Sequence, residues 1–266
     1  MELLIRGGAP AADGTLISVS PKRANWRYVG FAAVRLAPGA SRVWSFADRE
    51  ACVVLLGGAC ELRAGGQRLD ASDGRATPFE GAPHALYAPP GTEIGAVAGP
   101  GGADLAIGTA PASKGAPVQL FRPKDARLEM RGTGNMERRI HHLLMEDRDA
   151  ERLLLTEVVT PAGHWSSYPP HKHDTDDPPR ETQLEETYYY RLRDPKRGFA
   201  VQRVYTADGT LDESVAARDR DLVLVPRGFH TVSAPPGYEV YYLNVMAGPR
   251  REWKVTFDPA HEHLRR

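Results

Sequence analysis

Residues 164–190, HWSSYPPHKHDTDDPPRETQLEETYYY, carry the densest chemistry in the chain. His171 and His173 form a His-x-His pair, and a period of two puts both imidazoles on one side of an extended segment. An acidic, proline-rich loop follows. Glu185-Glu186 then leads into Tyr188-Tyr189-Tyr190, an aromatic run suited to a pleated strand. Forty-four residues beyond Glu186 the chain reads Pro226-Arg227-Gly228-Phe229-His230. Three imidazoles and a carboxylate are a donor set for a borderline divalent ion. A barrel interior, where neighbouring strands can each contribute a ligand, would bring them together.

The sequence on either side supports strands. Its 26 glycines and 22 prolines punctuate short runs rich in Val, Leu and Tyr, the texture of an all-β chain with many turns. Strands are expected over 27–36, 41–46 and 51–56, the last ending in a turn at Gly57-Gly58. ACELRAGGQRLDA reads as a hairpin about Gly65-Gly66, and Arg152 to Thr160 as a further strand. The tract APASKGAP, 110–117, lacks a periodic apolar face and suggests a boundary between a domain of residues 1–112 and one of 113–266. The two halves run in similar order, with LYAPPGTEI matching VLVPRGFHTV. The first has Thr92 and Glu93 where the second has Phe229 and His230, and it has no His-x-His. The pattern predicts a duplicated β-barrel whose second copy alone keeps its ligands.

Composition narrows the partners. Lys plus Arg and Asp plus Glu balance at 34 each, and the basic residues are scattered, which argues against nucleic acid or an anionic membrane. No run reaches the roughly eighteen apolar residues of a membrane span. MELLIRGGAPAADG lacks the apolar core of a secretory leader, so a cytoplasmic protein with a small-molecule partner is expected. Cys52 and Cys60 flank Gly57-Gly58 and could meet across a hairpin, but buried reduced thiols are the commoner case. His141-His142, His84, His261 and His263 read as structural or surface residues.

His-x-His, a glutamate and a distant Pro-x-Gly-x-His resemble the two metal-binding motifs of the cupin superfamily, and two such barrels resemble a bicupin. SSYPPHKHD, LEETYY, QRVYT, VLVPRGFH and YYLNVMAGP, in this order, are similar to the 5-deoxy-glucuronate isomerases of inositol catabolism, relatives of the bicupin ketol-isomerase of pectin breakdown. The resemblance is densest over 161–249. Two departures stand out: twelve residues separate His173 from Glu186 where cupins commonly have three or four, and the Pro-x-Gly-x-His step is one residue short. His164 occupies a position where the family pattern suggests Asn, and it is not taken as a ligand.

The resemblance implies an all-β bicupin with few short helices. Its metal ligands would be His171, His173, Glu186 and His230. The cupin strand register favours Glu186 over Glu185. The metal would be zinc first, with manganese, iron or nickel as alternatives. The implied reaction is aldose–ketose isomerisation of 5-deoxy-D-glucuronate to 5-dehydro-2-deoxy-D-gluconate. Tyr188, Tyr190, Tyr242 and a metal-bound hydroxide stand as candidates for moving the proton. Arg191, Arg203 and Arg227 are candidates for the substrate carboxylate. An iron dioxygenase or a non-catalytic sugar-binding cupin would use the same ligands. By analogy with other cupins, a homo-oligomer is expected.

Overall fold

The computed structural model describes residues 2–265. The chain forms two compact units that interleave in sequence: residues 8–127 with 143–155, and residues up to 7 with 128–142 and 156 onward. The expected cut between 112 and 113 falls inside the first. Local hydrogen bonding explains why. Glu151 accepts from the amides of Ser113, Lys114 and Gly115, the Tyr87 hydroxyl accepts from Ala116, and Gln119–Phe121 pairs with Ala85–Ala88.

The first unit is wound from one sheet ordered Thr15–Val19, Gly30–Leu36, Ile94–Pro111, Arg49–Ala64, Ala85–Ala88 and Gln119–Phe121. Ser41–Trp44 and Gln67–Arg75 pair onto the two long strands. Gly57-Gly58 is not the expected turn. It lies inside the 16-residue strand Arg49–Ala64, where the register against Ile94–Pro111 slips. Gly58 has φ +84°, and a Cβ there would sit 2.3 Å from the Gly102 carbonyl oxygen, so this bulge requires glycine. Cys52 and Cys60 therefore share one strand, and both are free and buried. The expected Gly65-Gly66 hairpin is present, with Ala64 opposite Gln67. Aliphatic side chains, among them Val53, Leu55, Leu62, Leu86 and Ile107, fill the interior.

The second unit pairs a seven-stranded with a five-stranded sheet. The larger is ordered Leu4–Ile5, Leu222–Val225, Glu185–Leu192, Val240–Ala247, Leu154–Thr160, Arg138–Leu144 and Arg127–Arg131. The smaller is ordered Asp212–Ala217, Ala200–Tyr205, Phe229–Ser233, Trp165–Lys172 and Thr256–Phe257. Alternation sorts each strand into two faces. Tyr188, Tyr190, Val204, Val223, Val232, Val240 and Tyr242 form the interior cluster. Each fully buried valine among them contributes about 1.5–3 kcal/mol relative to exposure. Three tyrosines join the aliphatic side chains in this interior, whereas the first unit's cluster is aliphatic apart from Trp44 and Cys60. Helix is confined to Pro21–Ala24 and short 3-10 turns. No helix among the described residues is long and apolar enough to cross a membrane.

Candidate active site

His171, at the end of Trp165–Lys172, lies directly opposite His230 of Phe229–Ser233 in the antiparallel ladder, with ring centroids 4.6 Å apart. His173 follows at the same-face spacing. The three imidazoles offer ligand atoms that all lie within 4.8 Å of one another. Glu186 enters from the other sheet. Its Oε2 lies 3.0 Å from His173 Nε2 and 3.2 Å from His230 Nε2. Glu185 takes the opposite face of its strand. All four side chains are buried, His230 completely.

The twelve-residue interval between His173 and Glu186 leaves this arrangement intact because the insertion is closed at its base. Leu184 N donates to His173 O at 2.8 Å, so the strand resumes beside the point where it left. Above that closure Glu181 accepts from the Asp174 and Thr175 amides and binds Lys172 Nζ at 2.9 Å. The acidic loop is pinned rather than free. The short Pro-x-Gly-x-His step is held from the same side. Gly228 N donates to Asp174 Oδ2 at 2.7 Å, and Gly228 O receives His230 Nδ1 at 3.2 Å.

The donor set fits a divalent cation. His173 Nδ1 faces Leu184 O at 3.0 Å and His230 Nδ1 faces Gly228 O, so each Nδ1 carries the proton and each Nε2 presents a lone pair. His173 Nε2 then meets Glu186 Oε2, lone pair to lone pair, and a proton or a metal ion must lie between them. His230 Nε2 is buried and makes no hydrogen bond, though it sits beside the same carboxylate. Burial, reinforced by His230 and His173, holds His171 well below the usual histidine range. Burial also opposes charge on His173, but the hydrogen bond and charge of Glu186 outweigh it and raise this pKa. For Glu186 burial pushes upward, and the two histidines more than reverse it. The Glu186 carboxylate is ionised and His171 is neutral, as metal binding needs; the proton that Glu186 favours on His173 is the one a metal ion would displace.

Beyond the histidines the interior is lined by hydroxyls. The Tyr188 ring lies 5.8 Å from His230 and 4.9 Å from Tyr242. The Tyr188 hydroxyl is 3.1 Å from Ser167 Oγ, and the Ser166 and Ser167 hydroxyls are near enough to Tyr242 to lower its pKa against the effect of burial. Ser167 has φ +48°, left-handed backbone that a non-glycine residue adopts at a cost of about 1–3 kcal/mol, and it places its hydroxyl between the two tyrosines. Tyr190 donates to Gln202 Oε1 at 2.8 Å. Burial raises the pKa of all three tyrosines, so they are neutral hydroxyls in the resting protein.

The structure brings His171, His173, Glu186, His230, Tyr188, Tyr190 and Tyr242 into one interior and leaves the three arginines outside it. Arg191 lies on the opposite face from Tyr190 and pairs with Asp219 at 3.0 Å. Arg203 forms a fork onto Asp212 at 2.8 Å and covers the Tyr205 ring. Arg227 is exposed and donates to Thr210 Oγ1. Sequence reasoning passed over Ser166, Ser167, Gln202, Asn244 and Arg138. Gln202 and Asn244 were within reach: each shares the inward face of an apolar strand, with Val204 and with Tyr242, and a polar residue there is a signal. Arg138 gave none.

Two units of this architecture, one of them enclosing three histidines and a glutamate, define a bicupin whose second barrel is compatible with a metal site. The chain belongs to the KduI/IolB family, whose model matches residues 3–264. The 5-deoxy-glucuronate isomerase of Geobacillus thermodenitrificans (strain NG80-2) is 45% identical to it over 259 residues, 97% of this chain and 94% of the relative. That of Bacillus subtilis (strain 168) is 40% identical over 250 residues, 92% of this chain and 91% of the relative. Among solved structures, an IolB-like protein from Salmonella typhimurium LT2 superposes with a TM-score of 0.94 at 40% identity, covering 99% of each chain. Oxalate decarboxylase of Lactobacillus farciminis matches with a TM-score of 0.69 at 12% identity, covering 97% of this chain and 88% of that one, a likeness of fold alone.

Proposed function

We propose that the chain isomerises 5-deoxy-D-glucuronate, an aldose, to the ketose 5-dehydro-2-deoxy-D-gluconate. The observation that carries this reading is the buried His171, His173, His230 and Glu186 cluster opening onto tyrosine hydroxyls, in a chain 40–45% identical to curated isomerases over more than nine-tenths of its length. Zinc is the first choice of ion by the family's relation to the pectin-pathway ketol-isomerase, and three imidazoles and a carboxylate suit it. Manganese, iron and nickel would fit the same donors. When bound, such an ion supplies Lewis acidity toward the aldehyde and its neighbouring hydroxyl, easing loss of the adjacent proton.

The chain's own residues do the rest. Tyr188 and Tyr242, neutral because they are buried, present O–H groups where charge develops on the substrate's oxygens, and Ser167 links them. As neutral O–H groups they donate to the oxygens of the developing enediolate and do not themselves take the carbon-bound proton, which requires a separate base. Tyr190 is committed to Gln202 and has a supporting role. Tyr188→Phe and Tyr242→Phe should each lower kcat about a hundredfold with metal content unchanged, the low end of general acid–base contributions. Tyr190→Phe should hold kcat within about threefold and lower stability by about 1–2 kcal/mol, the cost of an unpaired buried acceptor. A kcat loss in Tyr190→Phe matching the other two would reverse these roles.

The first unit, whose interior cluster is aliphatic apart from Trp44 and Cys60, is read as a structural barrel without ligands, corresponding to the domain expected at 1–112. The two free thiols and a small metabolic substrate support a cytoplasmic location. A homo-oligomer is consistent with cupin architecture.

The test is an anaerobic NMR time course with 5-deoxy-D-glucuronate, before and after chelator treatment. Conversion that stops on chelation and returns with a divalent ion is expected. Turnover that requires oxygen would favour a dioxygenase, and a sugar bound but unchanged would favour a binding protein.

A further inference from the structure

The interior of the second unit contains donors with nothing to donate to. Arg138 Nε, Asn244 Nδ2 and Gln202 Nε2 are buried and unpartnered. The amide orientations follow from their oxygens. Asn244 Oδ1 accepts from Thr156 Oγ1 at 3.3 Å, and Gln202 Oε1 accepts from the Tyr190 hydroxyl. Both amides lie on inward faces, Asn244 beside Tyr242 and Gln202 beside Val204. A set made only of donors, in a cavity already furnished with hydroxyls, calls for a ligand rich in acceptors.

Arg138 says more. It begins the strand Arg138–Leu144, two residues before the interior Ile140, and is only 7% exposed. Its one hydrogen bond among the described residues runs from Nη1 to the Met136 carbonyl at 3.0 Å, and it forms no ion pair. The acid nearest to its influence, Glu129, is already engaged by Arg131 at 2.6 and 2.9 Å and by His142 Nε2 at 2.7 Å. Arg138 shares the inward face of its strand with Ile140, a member of the interior cluster that holds Tyr188 and Tyr242, and its charge is felt there by Tyr242, Tyr188 and His171. A guanidinium does not give up its proton to escape burial. A buried cation without a counter-charge is costly, and a ligand that brings the counter-charge recovers that cost.

We infer that Arg138 is the carboxylate-binding residue of this site, holding the acid end of the sugar acid while the aldehyde end reaches His171, His173 and His230. Asn244 and Gln202 donate to oxygens along the chain between. The inference rests on the isomerase reading for the identity of the acid. It replaces the surface arginines Arg191, Arg203 and Arg227 in that role, since each of them already has a partner. It also explains how the site would select an acid over a neutral sugar: only an anion compensates the guanidinium, and only a planar, two-oxygen anion matches its fork.

The experiment compares two substrates in wild type and Arg138→Gln. One is 5-deoxy-D-glucuronate. The other is 5-deoxy-D-glucose, the same chain with a primary alcohol in place of the carboxylate. Wild type should prefer the acid by about a hundredfold in kcat/KM. Arg138→Gln should flatten that preference to less than about fivefold, mainly through a raised KM for the acid, with metal content unchanged. A variant that keeps the preference, or that loses both substrates in parallel, overturns the assignment, because a purely structural arginine would not distinguish the two. If Arg138→Gln does not fold, Arg138→Lys supplies the comparison: it keeps the cation but not the fork, and should weaken the preference about tenfold. A wild type that converts neither sugar refutes the isomerase reading instead. The assignment of Arg138 is then decided by titrating wild type and variant with the acid, where equal affinities would sink it.

Discussion

His230→Ala is expected to yield a folded protein that retains no divalent metal after dialysis and converts no substrate. His230 is completely buried, lies directly across the ladder from His171 and shares Glu186 Oε2 with His173. Loss of an outer partner of a metal ligand typically costs tenfold to a hundredfold in affinity, so loss of a ligand itself should exceed about a hundredfold. Glu186→Gln probes the same centre from the other side. It keeps the shape and removes the charge that both imidazoles face, and metal affinity should fall comparably. The measurement is metal content by elemental analysis beside kcat/KM, with circular dichroism to show that the sheets persist. Full metal occupancy in His230→Ala and His171→Ala would show that the ligand set is wrong, whatever happened to activity.

The sequence made the centre legible because its parts follow short-range rules. A period of two on an extended segment puts His171 and His173 together, and Glu186, Tyr188 and Tyr190 share a face for the same reason. Both observations need only local geometry. What local rules could not supply was the closure of the loop between His173 and Glu186. That depends on a pair between His173 O and Leu184 N, on Glu181 folding back onto Lys172, and on a contact with Gly228, which is distant in sequence. The arginines failed for a related reason. Arg191 and Arg203 have the residue type that grips a carboxylate, but each meets an aspartate on an outer face. Arg138 looks the same in the sequence and differs only in what surrounds it.

The first unit shows the same limit in its fold. Gly57-Gly58 has the composition of a turn, and a turn there would have set Cys52 and Cys60 on paired strands. The partner strand Ile94–Pro111 overrides this, because its 18 residues offer a continuous ladder and a glycine at 102 that accommodates the bulge. Two glycines in a strand mark either a turn or a bulge, and only the length of the opposing strand distinguishes them.

Gly228→Val should be the most damaging substitution outside the ligands themselves. Gly228 has φ +88°, and a Cβ there would lie 2.4 Å from the Tyr205 carbonyl oxygen. The backbone must therefore move, and it has little room to do so. Phe229 and His230, next in the chain, pair with Tyr205 and Val204. The Gly228 amide holds Asp174, and its carbonyl sets the His230 ring. Left-handed backbone in a β-branched residue costs about 1–3 kcal/mol before any clash is counted, so a total of roughly 2–4 kcal/mol is expected. Shifting the turn also rotates His230 Nε2 away from Glu186, so metal affinity should fall along with stability. Gly228→Ala should show the same pattern with a smaller loss of stability. The check is the denaturant midpoint of each variant beside its metal content. A Gly228→Val protein with wild-type stability and full metal occupancy would mean that the Gly228 turn does not set the His230 ring, and that the ligands are positioned by the sheet alone.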